Sequence, residues 1–253
     1  AWMHFYDPHI PYDPPEPYTT RFEGRGMRGL YDGEIAFADS QVGRLLDWLD
    51  QRGLRGETVV VVVGDHGESL GEHGESEHGY FVYDATVRVP LIIRVPGSDL
   101  EGIRVPTQVR TIDVAPTVLG LVGIEVPETL QGRSLVPLML DPEAEGPATA
   151  YSESMSVHLQ YGWAALYSLR AEGYKFIDAP RAELYIPADD PGEPAQQHGH
   201  SQHQQRRLQP VAALLFEEGI AVHTLSIVGA VDAPDQPNQP PSENKSLAVM
   251  PRD

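Results

Sequence analysis

Asp65 and His66 follow a run of five valines, Val59-Val60-Val61-Val62-Val63, and a glycine, Gly64. β-branched residues in an unbroken apolar run predict a strand covered on both faces. In open α/β sheets, ligands bind beyond the carboxyl ends of strands, so this acid and imidazole stand where a metal or an anionic substrate is expected. An aspartate closing an apolar run needs a partner, and a cation is a good one. A hard divalent cation prefers oxygen ligands, while an imidazole in the shell also admits Mn2+ or Zn2+. The plainer reading is an Asp-His pair that caps the next turn. Two further histidines suit proton transfer, because imidazole titrates near neutrality. His9 lies in His-Ile-Pro-Tyr-Asp-Pro-Pro, and His78 in Ser-Glu-His-Gly-Tyr. His78 can donate to an oxyanion or act as an acid. The plainer readings are a loop histidine packed among prolines and a solvent-facing loop residue.

Other polar residues are weighed against simpler roles. His4 reads as a satisfied core histidine and His73 as structural. Glu68, Glu72, Glu75 and Glu77 could be second partners to the histidines, but a solvated acidic loop is the preferred reading. Arg88 reads as buried or capping. His198, His200 and His203 lie among glutamines and resemble an adventitious metal-binding tract.

The elements that must position these residues alternate. Residues 1–6 read as a strand, and 7–28 as a Pro- and Gly-rich loop. Helical spacing of Ile35, Ala38, Val42, Leu45, Leu46 and Leu49 predicts a helix over 29–52 that ends at Gly53. A strand over 58–63 follows, then a Gly- and His-rich segment over 64–86, a buried strand over 89–95 and a short helix over 112–122. This alternation indicates α/β layers. Segments 149–153, 162–169 and 173–178 read as short antiparallel strands. Residues 207–218 read as a helix, and 232–241, rich in Pro, Asp, Gln and Asn, as disordered.

Several motifs carry a family resemblance. Gly64-Asp65-His66-Gly67-Glu68-Ser69-Leu70-Gly71-Glu72-His73-Gly74 is followed by Arg88-Val89-Pro90-Leu91-Ile92-Ile93. The opening His4-Phe5-Tyr6-Asp7-Pro8-His9-Ile10-Pro11-Tyr12 precedes them, and Glu183-Leu184-Tyr185 closes on Asp190-Pro191-Gly192-Glu193. In this order they resemble the sulfatase branch of the alkaline phosphatase superfamily over roughly residues 1–195. The resemblance implies an α/β fold, with a mostly parallel sheet sandwiched by helices and a small C-terminal antiparallel sheet. It divides the chain into a partial catalytic domain (1–145), an antiparallel subdomain (146–195) and a tail (196–253). It implies hydrolysis of a small-molecule or saccharide sulfate ester. Asp65 and His66 would bind a divalent metal, Ca2+ first, with Mg2+, Mn2+ and Zn2+ as alternatives. His9 would contact the sulfate and assist the leaving group. Many sulfatases place a Lys near His78, and no Lys occurs here before Lys175. His9, His78 and Asp65 are expected to face one cavity, with strands 1–6 and 58–63 as parallel neighbours.

The family nucleophile, a Cys or Ser in Cys/Ser-x-Pro-x-Arg that becomes formylglycine, is absent from these 253 residues, which contain no cysteine. The expectation is therefore the C-terminal part of a sulfatase catalytic domain, inactive as written, with an N-terminal half missing. A non-catalytic binding remnant, a phosphate or phosphonate ester hydrolase and a Mn-dependent phosphotransferase of the superfamily are the alternatives. The net charge of −19 argues against nucleic acid as a partner. No apolar run is long enough for a membrane span. The compartment stays open, with no signal visible.

Overall fold

The computed structural model describes residues 1–147 and 149–187. The expected helix over 207–218, the disordered segment over 232–241 and the histidines at 198, 200 and 203 lie outside the described residues. The chain divides into two compact units, with the break after Arg55. Each is described by itself.

In the first unit, a short helix α1 (Tyr18–Arg21) leads into the long helix α2 (Gly26–Gln51). α2 ends where a positive-φ glycine permits it. Gly53 has φ 68°, its N–H donates to the Asp50 carbonyl, and the Leu54 N–H returns to Leu49. The loop before α1 lies on α2. Tyr12 is buried and meets the Tyr31 ring edge-on at 5.5 Å. Gly33 must stay small, because a Cβ there would stand 2.8 Å from Pro14 Cγ. The strand expected over 1–6 does not form. His4 is accordingly exposed rather than in a core. Strand preference expresses itself only through pairing with neighbours, and none pairs with this segment among the described residues.

In the second unit, β1 (Val60–Val63) pairs with β2 (Leu91–Arg94). The pairing is antiparallel, with Val60 opposite Arg94 and Val63 opposite Leu91. Every strand pairing among the described residues is antiparallel, so the mostly parallel sheet expected from the sequence is not among them. The valines of β1 are half-buried rather than covered on both faces. A two-stranded ribbon explains this, because it cannot bury both faces of a strand.

The larger sheet is a meander, β3 (Thr149–Ser154), β4 (Leu166–Ala171), β5 (Tyr174–Asp178) and β6 (Glu183–Tyr185), paired in sequence order. Between β4 and β5 the chain turns through Glu172 and Gly173, both at positive φ. A helix not anticipated from the sequence, α6 (Ser156–Tyr161), connects β3 to β4. The period-2 alternation of β5 places Phe176 with Leu184 on one face and Ile177 with Val82 and Tyr185 on the other. Lys175 shares the Ile177 face. It is 1% exposed, and its Nζ lies 3.0 Å from Asp84 Oδ1. Arg170 reaches Asp84 Oδ2 at 2.7 Å. Asp84 begins α3 (Asp84–Val87), so the sheet grips the segment that runs on to β2.

Helix α4 (Val114–Leu121) follows a 3-10 turn over Thr111–Asp113, within the predicted span. Asp113 is fully buried and accepts from the Arg110 guanidinium and from the Arg133 N–H. Helix α5 (Val136–Leu140) packs near α4, and its start is held by Thr117 Oγ1, which accepts the Leu135 N–H. No helix among the described residues is long and apolar enough to cross a membrane.

A candidate anion and metal site at the end of the first strand

Beyond Val63 the chain leaves the ribbon through Gly64, whose N–H donates to the Pro90 carbonyl at 3.1 Å. Asp65 and His66 follow at once, at the C-terminal end of β1. Gly67 then touches α3. Its N–H donates to the Thr86 carbonyl at 2.7 Å, and a Cβ here would collide with the Ala85 carbonyl oxygen. The glycine of Asp-His-Gly therefore serves close backbone approach.

The loop from Gly67 to Tyr80 is closed by its own hydrogen bonds. The Ser69 N–H donates to the Glu77 carbonyl at 2.8 Å, and the buried Ser69 hydroxyl donates to the carbonyls of Glu72 and Glu75. Glu75 Oε1 accepts the N–H groups of Tyr80 and Phe81. From the larger sheet, the Ser154 hydroxyl donates to the Gly79 carbonyl at 2.6 Å. Two anchors, α3 and β3, thus fix both ends of the loop.

This closure folds His78 back onto His66. The rings stack with centroids 4.0 Å apart and planes 29° from parallel. His66 Nδ1 lies 2.9 Å from the Gly67 carbonyl. A carbonyl only accepts, so Nδ1 carries the proton and neutral His66 has its lone pair on Nε2. That nitrogen stands 3.9 Å from Asp65 Oδ2. Asp65 Oδ1 accepts the His66 backbone N–H at 2.9 Å, which holds the carboxylate beside the ring. His78 Nδ1 faces both Glu68 oxygens, at 3.3 and 3.4 Å. The Glu68 hydrogen bond raises the His78 pKa against the opposing effect of burial, with Glu68, Glu77 and Glu75 adding attraction.

Parts of this loop differ from the expectation of a solvated acidic rim. The Glu68 side chain is only 4% exposed and serves His78. Glu75 is buried, and that burial pushes its carboxyl up, against the Tyr80 and Phe81 N–H groups. Neither fits a solvated acidic rim. No local pattern flags Glu68, because its partner is ten residues away. Arg88 is exposed rather than buried, but it caps α3, its N–H donating to the Asp84 carbonyl at 3.0 Å. His73 stacks on Tyr83 at 3.6 Å.

His9 belongs to the other unit. Its Nδ1 lies 2.6 Å from the Ile10 carbonyl, and its ring packs against Tyr6 at 4.3 Å. Its backbone N–H donates to the buried Glu34, a residue not singled out from the sequence.

The donor chemistry at 65 and 66 suits a divalent cation as part of a shell. A carboxylate oxygen and an imidazole nitrogen 3.9 Å apart can share one ion at ordinary ligand distances of about 2.0–2.6 Å. No group of three or more such side chains gathers among the described residues.

Comparison with known proteins places these features in context. The sulfatase family model matches residues 1–124. A second model, N-sulphoglucosamine sulphohydrolase, C-terminal, matches 71–215. An N-acetylglucosamine-6-O-sulfatase from Bacteroides thetaiotaomicron is 33% identical over 64% of this chain and 30% of its own length. An ulvan-active sulfatase from Formosa agariphila is 34% identical over 52% of this chain and 27% of its own. Among solved structures, one in complex with its substrate D-glucosamine-2-N,6-O-disulfate superposes with a TM-score of 0.60 at 28% identity, over 77% of this chain and 41% of that one. The phosphonate monoester hydrolase of Agrobacterium radiobacter gives 0.64 at 27% identity, over the same shares. The chain thus spans about three tenths of the length of these curated relatives.

Proposed function

We propose that this chain, which belongs to the sulfatase family, supplies the leaving-group side and half the metal shell of a sulfate-ester hydrolase acting on saccharide sulfates. The observation that carries the reading is the convergence of Asp65, His66 and His78 at the end of β1, with Glu68 behind His78. His78, hydrogen-bonded through Nδ1 to Glu68, directs its Nε2–H toward an anionic oxygen. His9, with Nδ1 engaged by the Ile10 carbonyl and Nε2 3.5 Å from the Tyr6 hydroxyl, would donate from Nε2 in its protonated form, within its own loop. Asp65 and His66 would hold a divalent cation, Ca2+ first and Mg2+, Mn2+ or Zn2+ as alternatives. When bound, that ion would neutralise charge on the ester oxygens. Support for a saccharide comes from the named substrates of the relatives. It also comes from a cluster of exposed rings, Tyr80, Tyr161 and Trp163, which begins two residues beyond His78 and suits the apolar face of a sugar.

The same reading holds that these 253 residues alone turn nothing over. They contain no Cys and no Ser-x-Pro-x-Arg to furnish the attacking group. The test is an assay of the purified chain on an aryl sulfate with Ca2+ present, beside a sulfate titration followed by NMR at His78. The expected result is anion-dependent shifts at His78 without turnover. Turnover abolished by a substitution within this chain would sink the reading. The phosphonate hydrolase likeness supports a second reading on the same residues, tested by substituting a phosphonate monoester.

A further inference from the structure

The first unit holds a buried carboxylate that the reading above does not use. Glu34 sits in the first half of α2 and is 3% exposed. Carboxylates are almost never this buried without partners that satisfy their oxygens. Here both partners are backbone. Oε2 accepts the His9 N–H at 3.0 Å, and Oε1 accepts the Asp13 N–H at 2.7 Å. One side chain therefore bridges the two ends of the turn His9-Ile10-Pro11-Tyr12-Asp13. The prolines around it cannot donate backbone hydrogen bonds, so the turn has few internal means of holding itself.

Packing reinforces the clip. Tyr12, inside the turn, is buried against Tyr31, and Pro14, just beyond it, presses on Gly33. Gly33, Glu34 and Tyr31 all belong to α2, so the helix supplies both the ring contact and the hydrogen bonds. Burial pushes the Glu34 carboxyl up, and Asp7 and Asp13 add to that, while the two N–H groups favour the ionised form. A group kept here at such a cost has a local task.

The consequence falls on the His9 ring. Its Nδ1 meets the carbonyl of the next residue, Ile10, at 2.6 Å. That bond depends on the backbone orientation at positions 9 and 10, which Glu34 fixes from one side. It also selects the tautomer of the neutral ring, since the carbonyl only accepts: Nδ1 carries the proton and Nε2 the lone pair, with the Tyr6 hydroxyl 3.5 Å from it.

We propose that Glu34 is a positioning residue for His9: its buried carboxylate clips the 9–13 turn at two N–H groups and so keeps Nδ1–H on the Ile10 carbonyl, leaving Nε2, 3.5 Å from the Tyr6 hydroxyl, as the nitrogen that in the protonated ring donates to a sulfate ester oxygen. The anion-contact part rests on the function proposed above; the clip does not.

The experiment is NMR on the full chain, wild type and Glu34→Ala, Glu34→Gln and Tyr31→Leu. Three signals are followed: amide exchange at His9 and Asp13, the tautomer of the His9 ring from its nitrogen shifts, and the response of that ring to sodium sulfate. Glu34→Ala is expected to speed exchange of both amides by about tenfold or more, the scale of losing a hydrogen bond to a charged group. It is also expected to mix the His9 tautomers. Glu34→Gln, which keeps one accepting oxygen, restores part of the protection and of the tautomer preference. Tyr31→Leu loosens the Tyr12 packing but leaves the carboxylate in place, so the tautomer stays fixed. An unchanged tautomer in Glu34→Ala, or equal mixing in Tyr31→Leu, overturns the positioning role. A wild-type His9 ring that ignores sulfate, with amides and tautomer behaving as expected, overturns the anion contact instead and leaves the clip standing.

Discussion

At the scale of single residues, the candidate site is a pair of histidines held differently by their neighbours. His66 spends Nδ1 on the Gly67 carbonyl and turns Nε2 toward Asp65, the arrangement of a ligand. His78 spends Nδ1 on Glu68, whose hydrogen bond raises its pKa and favours the charged ring. The place of Asp65 at the end of a strand was legible in the sequence, because five valines and a glycine precede it. Glu68 was not, since nothing local distinguishes it from Glu72 or Glu77. Two predictions belong here. Calorimetry with Ca2+ should show weak binding that Asp65→Ala abolishes, because hard cations need about six oxygens and this pair offers few. A tight site that survives Asp65→Ala would move the metal elsewhere. Glu68→Gln should weaken the sulfate response of His78, because an amide no longer favours the charged ring. An equal response in the variant would count against the assigned role of Glu68.

At the scale of elements, the larger sheet positions the loop through α3. The path runs from Lys175 and Arg170 to Asp84, then along α3 to the Thr86 carbonyl and Gly67. The individual strands were readable from alternation and turns, and α2 from its apolar spacing and Gly53. Pairing was not readable. Val60–Val63 reads equally well as the middle of a parallel sheet, and only contact with β2 makes it antiparallel. Likewise Ala-Trp-Met-His-Phe-Tyr has strand composition yet forms no ladder. The path through α3 yields two predictions. Gly67→Ala should disrupt the loop, seen as loss of the His66 and His78 ring-current shifts, because the added methyl has no room beside Ala85. Asp84 yields a pH dependence. Burial raises its pKa, but Lys175 and Arg170 together outweigh that and hold it below its ordinary 3.8. A depressed carboxylate contributes stability that is fully present above 3.8 and lost as pH falls below it. Asp84→Asn should cost about 3–5 kcal/mol near neutrality, the range for breaking a buried pair. Urea midpoints should also fall less steeply below pH 4 in the variant than in the wild type. Parallel pH profiles would remove Asp84 from the account.

At the scale of the whole chain, charge would set the terms on which the proposed sulfated ligand arrives. The sequence carries 37 acidic against 18 basic residues, a net of −19. A chain of that charge repels a polyanion at distances beyond contact, while on the proposed reading His78, and any cation at Asp65, would attract it at close range. The two effects differ in their sensitivity to salt. Long-range repulsion between exposed charges is screened over about 10 Å at 0.1 M ionic strength, whereas hydrogen bonds inside the loop are screened much less. Added salt should therefore help this chain meet a sulfated oligosaccharide, opposite to the behaviour of a protein that recognises polyanions through Lys and Arg clusters. The measurement is the association rate for an oligosaccharide with several sulfates at about 0.02 and 0.2 M sodium chloride, concentrations that span the screening length in question. The rate should rise with salt for the polysulfated ligand and change little for a monosulfated sugar, which meets less of the field. A rate that falls with salt for both would mean that a local positive field, not the overall charge, governs the approach, and the acidic surface would then have no part in choosing the substrate.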